Sequence, residues 1–343
     1  MIKVGLVGAT GYTGAELLRL LISHPRANVV TVTSRSNQGM SVDDFYSGFN
    51  GSTDLKFSDA SLDNLAACDV VFFATPHGVA QSMVPKIIDA GVRVIDLSAD
   101  FRIRDVATWE KWYELNHRAP EYLPRAVYGL PEFNREKLFS AYLVACPGCY
   151  PTSVALGLLP LLEVGCVDLS DIIANVASGV SGAGRKARIE NLFSEISDSY
   201  KAYGVSGHRH QPEIEQTLSE IASDKVNVIF VPHLAPLNRG IHSTIYANIV
   251  DADVDIQKLF EKRYANEPFV KVLKSGVCPS TRSVRGTNFC QIAIHRPKNG
   301  KKIVILVVED NLTKGAAGQA LQCMNIMFSL PENCGLKGSA MVP

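Results

Sequence analysis

Residues 2–17 read Ile2-Lys3-Val4-Gly5-Leu6-Val7-Gly8-Ala9-Thr10-Gly11-Tyr12-Thr13-Gly14-Ala15-Glu16-Leu17. The first six form a short apolar strand, and residues 15–21 place apolar side chains at helical spacing. Between them lies a glycine turn. Strand, glycine turn and helix in this order open a dinucleotide-binding βαβ unit. The glycines let the main chain approach a pyrophosphate, which rests on the free N–H groups of the helix start. Gly8, Thr10, Gly11, Tyr12, Thr13 and Gly14 are the candidate contacts. The spacing is GxxGxxG rather than GxGxxG, so the setting carries the reading more than the motif does. The plain alternative is a glycine turn that binds nothing.

Working outward, a second strand over residues 29–33 ends in Ser34-Arg35-Ser36. A domain built for NAD carries an acidic residue near this point for the ribose 2′-hydroxyl. Here a guanidinium and two hydroxyls stand instead, which favours the 2′-phosphate of NADP; a solvated loop arginine is the alternative. Residues 69–74 form a strand that ends in the turn Thr75-Pro76-His77-Gly78, and 79–90 form a helix. Residues 93–97 form a strand ending in Ser98-Ala99-Asp100-Phe101-Arg102. Thr75, Pro76 and Ser98 are cofactor candidates, because open α/β sheets bind ligands at the carboxyl ends of their strands. Residues 103–130 read as irregular, with Trp109 and Trp112 as packing anchors, followed by a helix to about residue 139. Repeated βα units imply a parallel, doubly wound sheet of the α/β class.

At mid-chain stands Cys146-Pro147-Gly148-Cys149-Tyr150-Pro151-Thr152, between a strand at 142–145 and a helix covering 153–162. Pro151 suits a first helical turn. Cys149 therefore falls at a helix start, where free N–H groups and the helix dipole favour a thiolate, a ready nucleophile. Packing is the alternative for Cys149 and the preferred reading of Cys146 on the strand side.

The pattern then changes. A strand at 172–177 precedes Ser178-Gly179-Val180-Ser181-Gly182-Ala183-Gly184-Arg185-Lys186, which reads equally as a phosphate cradle or a flexible loop. His208 and His210 precede a helix that Pro212 can start. Metal binding by His-x-His needs further ligands, and no cluster supplies them. An acid/base partner for a cysteine fits better. Strands at 226–231, 245–250, 291–295 and 301–308 suggest a mixed, largely antiparallel sheet with helices on one face. A last helix opens after Asp310-Asn311 and runs to about residue 328.

The 343 residues suffice for two domains, and 46% apolar against 20% charged residues sustains a large core. Basic and acidic residues number 34 each, so nothing favours nucleic acid or an acidic membrane. No apolar run is long enough for a membrane span, and the first residues enter a strand without a signal-peptide layout. Eight scattered cysteines suggest reduced thiols and a cytoplasmic protein.

Taken together, Gly8–Gly14, Pro147–Thr152, Ser178–Lys186, His208-Arg209-His210 with Pro212-Glu213-Ile214, and Lys314-Gly315-Ala316-Ala317-Gly318-Gln319-Ala320 resemble the N-acetyl-γ-glutamyl-phosphate reductase family. The resemblance covers nearly the whole chain. It implies a fold of the glyceraldehyde-3-phosphate dehydrogenase type: an NADP-binding Rossmann domain over 1–148 and 312–343, and an inserted α+β catalytic and oligomerisation domain over 149–311. It implies NADPH-dependent reduction of an acyl phosphate through a Cys149 thioester, in arginine biosynthesis, by a homodimer or homotetramer. His208 and His210 are the acid/base candidates, with a slight preference for His208. Asn311 and Gly315 join the cofactor contacts, and Arg102, Ser181, Gly182, Arg185 and Lys186 are the substrate contacts. One departure is His242, where the family suggests a larger apolar residue; the related aspartate-semialdehyde dehydrogenases keep a histidine in a similar setting, so His242 also competes. The alternatives are aspartate-semialdehyde dehydrogenase, an aminoadipyl-phosphate reductase, or an NADP-binding sensor without catalysis.

Overall fold

The computed structural model describes residues 1–251 and 253–341. The chain divides into two units, Met1–Pro147 with Ala316–Lys337, and Gly148–Gly315 with Gly338–Pro343. In the first, elements alternate: β1 (Ile2–Val7), α1 (Tyr12–Ile22), β2 (Ala27–Thr33), α2 (Val42–Phe45), β3 (Phe57–Ser58), α3 (Leu62–Ala66), β4 (Val70–Phe73), α4 (Ala80–Asp89) and β5 (Arg93–Asp96). Then come α5 (Val106–Tyr113), β6 (Val127–Tyr128), α6 (Pro131–Leu138) and β7 (Leu143–Ala145). The strands form one parallel sheet in the order β3-β2-β1-β4-β5-β7-β6. Val70, Val71, Phe72 and Phe73 of β4 are all buried, as a parallel strand covered on both faces requires.

The irregular reading of 103–130 gives way to a helix in α5. Val, Thr, Trp and Tyr are weak helix formers, which hid it. Asp105 caps it by accepting the Thr108 N–H. Trp109 is fully buried, and its Nε1–H donates to the Ala99 carbonyl at 2.8 Å.

The second unit begins with α7 (Cys149–Glu163) and continues through β8 (Ile172–Ser178), α8 (Phe193–Ile196), β9 (Lys201–Ala202), α9 (Gln211–Ala222), β10 (Val228–Leu234) and β11 (Ile241–Asn248). It ends with α10 (Ile256–Tyr264), β12 (Val270–Val272), β13 (Cys290–His295) and β14 (Lys302–Glu309). Its sheet runs β12-β13-β14-β11-β8-β10-β9; β8 pairs parallel with β10 and β12 with β13, and the other pairings are antiparallel. One face carries α7. A Cβ on Gly157 would lie 2.7 Å from Ile245 Cδ1 and 2.9 Å from Val307 Cγ2, so glycine sets how closely helix and sheet approach. The opposite face alternates half-buried side chains, and Ile229 on it is 62% exposed. A π-helical turn at Thr313–Ala317 leads to α11 (Gly318–Met327), which belongs to the first unit and packs on α1 and α6.

Candidate active site

In the first unit the glycine turn follows β1 directly. Gly8 has φ +89°, and a Cβ there would stand 2.5 Å from the Ala74 carbonyl oxygen. A Cβ on Gly14 would stand 2.3 Å from the Gly8 carbonyl oxygen, so both positions need glycine. Gly11 is the N-cap of α1, Thr10 and Thr13 are half-buried, and Tyr12 is exposed. Ser34 is buried and accepts a hydrogen bond from Asn37 Nδ2. Arg35 is exposed and lines a cavity of about 670 Å³ with His77, Gly78, Val79 and Gln81. Thr75 Oγ1 is buried without a hydrogen-bond partner, and Pro76 is exposed. A glycine cradle, an orphaned hydroxyl and a cavity at the ends of β1, β2 and β4 fit a nicotinamide dinucleotide.

At the end of β5, Ser98 donates from N–H and Oγ to the Asp96 carboxylate at 2.9 and 2.8 Å. Burial, followed by the nearby Asp100 charge, pushes Asp96 up to about 7. Asp100 accepts the N–H groups of Gly78 and Gln81 and so ties two βα turns together. Arg102 is buried and donates to the Leu97 carbonyl at 2.8 Å. Cys146 is buried at the end of β7, its N–H on the Asp96 carbonyl, as a packing residue would be.

In the second unit Cys149 is the first residue of α7, and Gly148 is the extended N-cap before it. An anion on sulfur is favoured at such a position. The Gly148 N–H donates to Glu213 Oε1 at 2.8 Å, and Glu213 is fully buried on α9. Tyr150 gathers an aromatic cluster: its ring lies 5.7 Å from His208, 5.6 Å from His210 and 5.4 Å from Phe230. Its hydroxyl is 2.8 Å from that of Tyr203. Burial, then Tyr203 and Cys149, hold the Tyr150 phenol protonated well above the usual tyrosine range.

His208 and His210 occupy a turn rather than an extended segment, yet their rings meet at 5.0 Å. His208 Nδ1 accepts the His210 backbone N–H at 3.1 Å, which leaves the proton of a neutral ring on Nε2. Burial, reinforced by the Arg209 charge, lowers His208 to about 4. His242 lies on β11 between Ile241 and Ser243. Ser243 bonds Ser153 of α7 at 2.7 Å, so alternation sends His242 to the face opposite α7.

The Ser178–Lys186 run splits in two. Ser181 sits in a short 3-10 turn with its Oγ accepting from Asn311 Nδ2 at 3.0 Å, while Gly182, Arg185 and Lys186 are exposed. Asn311 Oδ1 accepts the Gly240 N–H at 2.7 Å. Gly315 lies against Cys149: a Cβ there would be 2.7 Å from Cys149 Cβ and 3.0 Å from Glu309 Oε1. Two buried acids near Cys149, Glu213 and Glu309, had no role in the sequence reading. Glu213 passes for a first-turn helix acid, and the signal for Glu309 is an acid closing an apolar strand. Among the described residues no group of His, Cys, Asp and Glu could hold a metal ion.

Residues 3–141 match the semialdehyde dehydrogenase NAD binding domain family, and 149–311 match the semialdehyde dehydrogenase dimerisation domain family. The chain is 58% identical to the N-acetyl-gamma-glutamyl-phosphate reductase of Saccharophagus degradans, over all of both chains. It is 59% identical to the enzyme so named from Pseudomonas fluorescens, again over all of both. The chain belongs to the N-acetyl-γ-glutamyl-phosphate reductase family. Its fold is also that of more distant proteins. Aspartate semialdehyde dehydrogenase II of Vibrio cholerae, complexed with ASA, has a TM-score of 0.75 at 17% identity, covering 96% of this chain and 98% of that one. Aspartate semialdehyde dehydrogenase of Candida albicans with NADP has a TM-score of 0.73 at 17% identity, covering 97% and 99%. As a family member the chain is an oxidoreductase with a nicotinamide-binding domain, and the expected parallel sheet and mixed second sheet are both present.

Proposed function

We propose that this chain reduces N-acetyl-γ-glutamyl phosphate to the semialdehyde and phosphate, with NADPH as reductant and Cys149 as nucleophile. The observation that carries the reading is Cys149 as first residue of α7, its N-cap held by Glu213 and its neighbour Tyr150 packed on His208 and His210. Thiolate Sγ attacks the acyl carbon, the C–S bond forms, and the C–O bond to phosphate breaks. NADPH, when bound, supplies the hydride that reduces the thioester carbonyl. A histidine protonates the resulting oxygen and takes the proton back as the C–S bond breaks, releasing aldehyde and thiolate. We assign that proton to His210, because His208 is held neutral and its Nδ1 is already engaged. Arg102, Ser181, Gly182, Arg185 and Lys186 remain candidates for the substrate's charged groups.

The glycine turn from Gly8 to Gly14 would carry the pyrophosphate, Ser34 and Arg35 the 2′-phosphate, and Thr75, Pro76 and Ser98 the rest of the cofactor. A cytoplasmic setting fits eight free cysteines. Self-association as a dimer or tetramer fits the match to a dimerisation domain and the open sheet face bearing Ile229.

The test is NADP reduction with N-acetyl-glutamate semialdehyde and phosphate. Cys149→Ser is expected to lose turnover and Cys146→Ser to keep most of it. NADP should be used in preference to NAD. Turnover with aspartate semialdehyde instead, or an active Cys149→Ser, overturns the proposal.

A further inference from the structure

Behind Cys149 lies a charged anchor that the reaction scheme does not use. Asp310, just past β14, is fully buried. Its carboxylate pairs with Arg239, whose Nε stands 2.9 Å from Oδ2 and whose Nη2 stands 2.9 Å from Oδ1. The same carboxylate accepts the N–H groups of Gly286 at 2.7 Å, Leu312 at 2.9 Å and Thr313 at 3.1 Å. Arg239 Nη2 also donates to Thr313 Oγ1 at 3.0 Å, and the Gly315 N–H returns to the Asp310 carbonyl at 3.0 Å. The turn from 310 to 315 is thus folded around one carboxylate, and its last residue is the glycine that abuts Cys149.

The anchor joins other loops. Main-chain bonds run from Gly179 N–H to the Gly240 carbonyl and from Ser181 N–H to the Asn238 carbonyl. A Cβ on Gly179 would stand 2.8 Å from Arg239 N, so the glycine-rich loop rests on the backbone that carries the arginine. A planar guanidinium meets a carboxylate in two parallel bonds and fixes orientation as well as charge. Without it Asp310 is left as a buried charge lacking its counter-ion, and the turn must relax.

We infer that Arg239 is a positioning residue for the Cys149 chemistry: its ion pair with Asp310 holds the 310–315 turn so that the Gly315 backbone fixes the nucleophile in place. This rests on Cys149 being the nucleophile. Displacing a reacting group by about 1 Å lowers a rate by roughly 100-fold.

The experiment uses full-length Arg239→Met and Arg239→Lys, with Cys149→Ser alongside. The readouts are kcat, KM, circular dichroism, and the iodoacetamide alkylation rate of Cys149 against pH. Cys149→Ser supplies the background from other thiols such as the exposed Cys278. Arg239→Met is expected to keep its fold and its KM while kcat and the alkylation rate fall together, by roughly 10- to 100-fold. Millimolar guanidinium should restore part of both, and Arg239→Lys should fall between. Wild-type kcat and alkylation in a folded Arg239→Met overturn the inference. If that variant does not fold, Arg239→Lys decides: both rates lowered support it, and both at wild-type level overturn it. An active Cys149→Ser would instead remove the nucleophile reading itself, so the two failures are told apart.

Discussion

At the scale of single residues, the two histidines differ in their surroundings. His208 is half-buried between Tyr150, Tyr203 and Phe230, each with ring centroids within 5.7 Å. Its Nδ1 receives the His210 N–H, and burial keeps it neutral in the working pH range. Such a ring orients its neighbour better than it shuttles a proton. His210→Asn should therefore lower kcat by roughly 10²- to 10⁴-fold, the usual loss of an acid/base group. His208→Asn should lower it less. Steady-state rates of the two variants, with the pH profile of Cys149 alkylation, check this. A larger loss in His208→Asn would return the proton-transfer role to His208.

At the scale of elements, α7 carries Pro160 in its interior, and yet it is a continuous fifteen-residue helix. Proline offers no N–H to the carbonyl four residues earlier, that of Leu156. The structure supplies a donor from elsewhere: Tyr264 Oη, on α10, donates to the Leu156 oxygen at 2.5 Å. The same helix sets Gly157 against Ile245 and Val307, so its middle turn is fixed on two sides. Tyr264→Phe should leave the Leu156 carbonyl buried and unpaired, which costs about 1–3 kcal/mol. Tyr142→Phe, at an exposed position, should cost almost nothing. Urea midpoints measure both, and an unchanged midpoint for Tyr264→Phe would show that the carbonyl is satisfied without the phenol.

At the scale of the whole molecule, opposed titrations act on stability between about pH 4 and 7. His24, His208 and His242 are all lowered, chiefly by burial, and His208 reaches about 4. In that window the unfolded chain binds their protons and the folded chain does not, so stability falls as pH drops below 6.5. Asp96, raised to about 7 by burial and Asp100, acts in the other sense: the folded state holds its proton, so stability from this group is lost as pH rises toward 7. His208→Asn should flatten the acid side of the stability curve, by about 2 kcal/mol at pH 5. Asp96→Asn should steepen it. Melting temperatures at pH 5 and 7 separate the two, and parallel curves for wild type and both variants would remove this account.

Local periodicity and glycine placement were enough to read the strand–turn–helix of residues 2–21, the helix start at Cys149 and the doubly wound sheet. Each depends on contacts between residues close in sequence, or on a backbone conformation only glycine accepts. The helix α5 stayed hidden because its stability comes from burying Trp109, a distant contact that outweighs weak propensity. The site needed the tertiary structure for the same reason. Glu213 meets Gly148 across 65 positions, Arg239 meets Asp310 across 71, and His242 is turned away only because β11 packs Ser243 against α7. Sequence proposes candidate groups by their chemistry. Which of them face one another is settled by sheet register and helix packing, which no local pattern encodes.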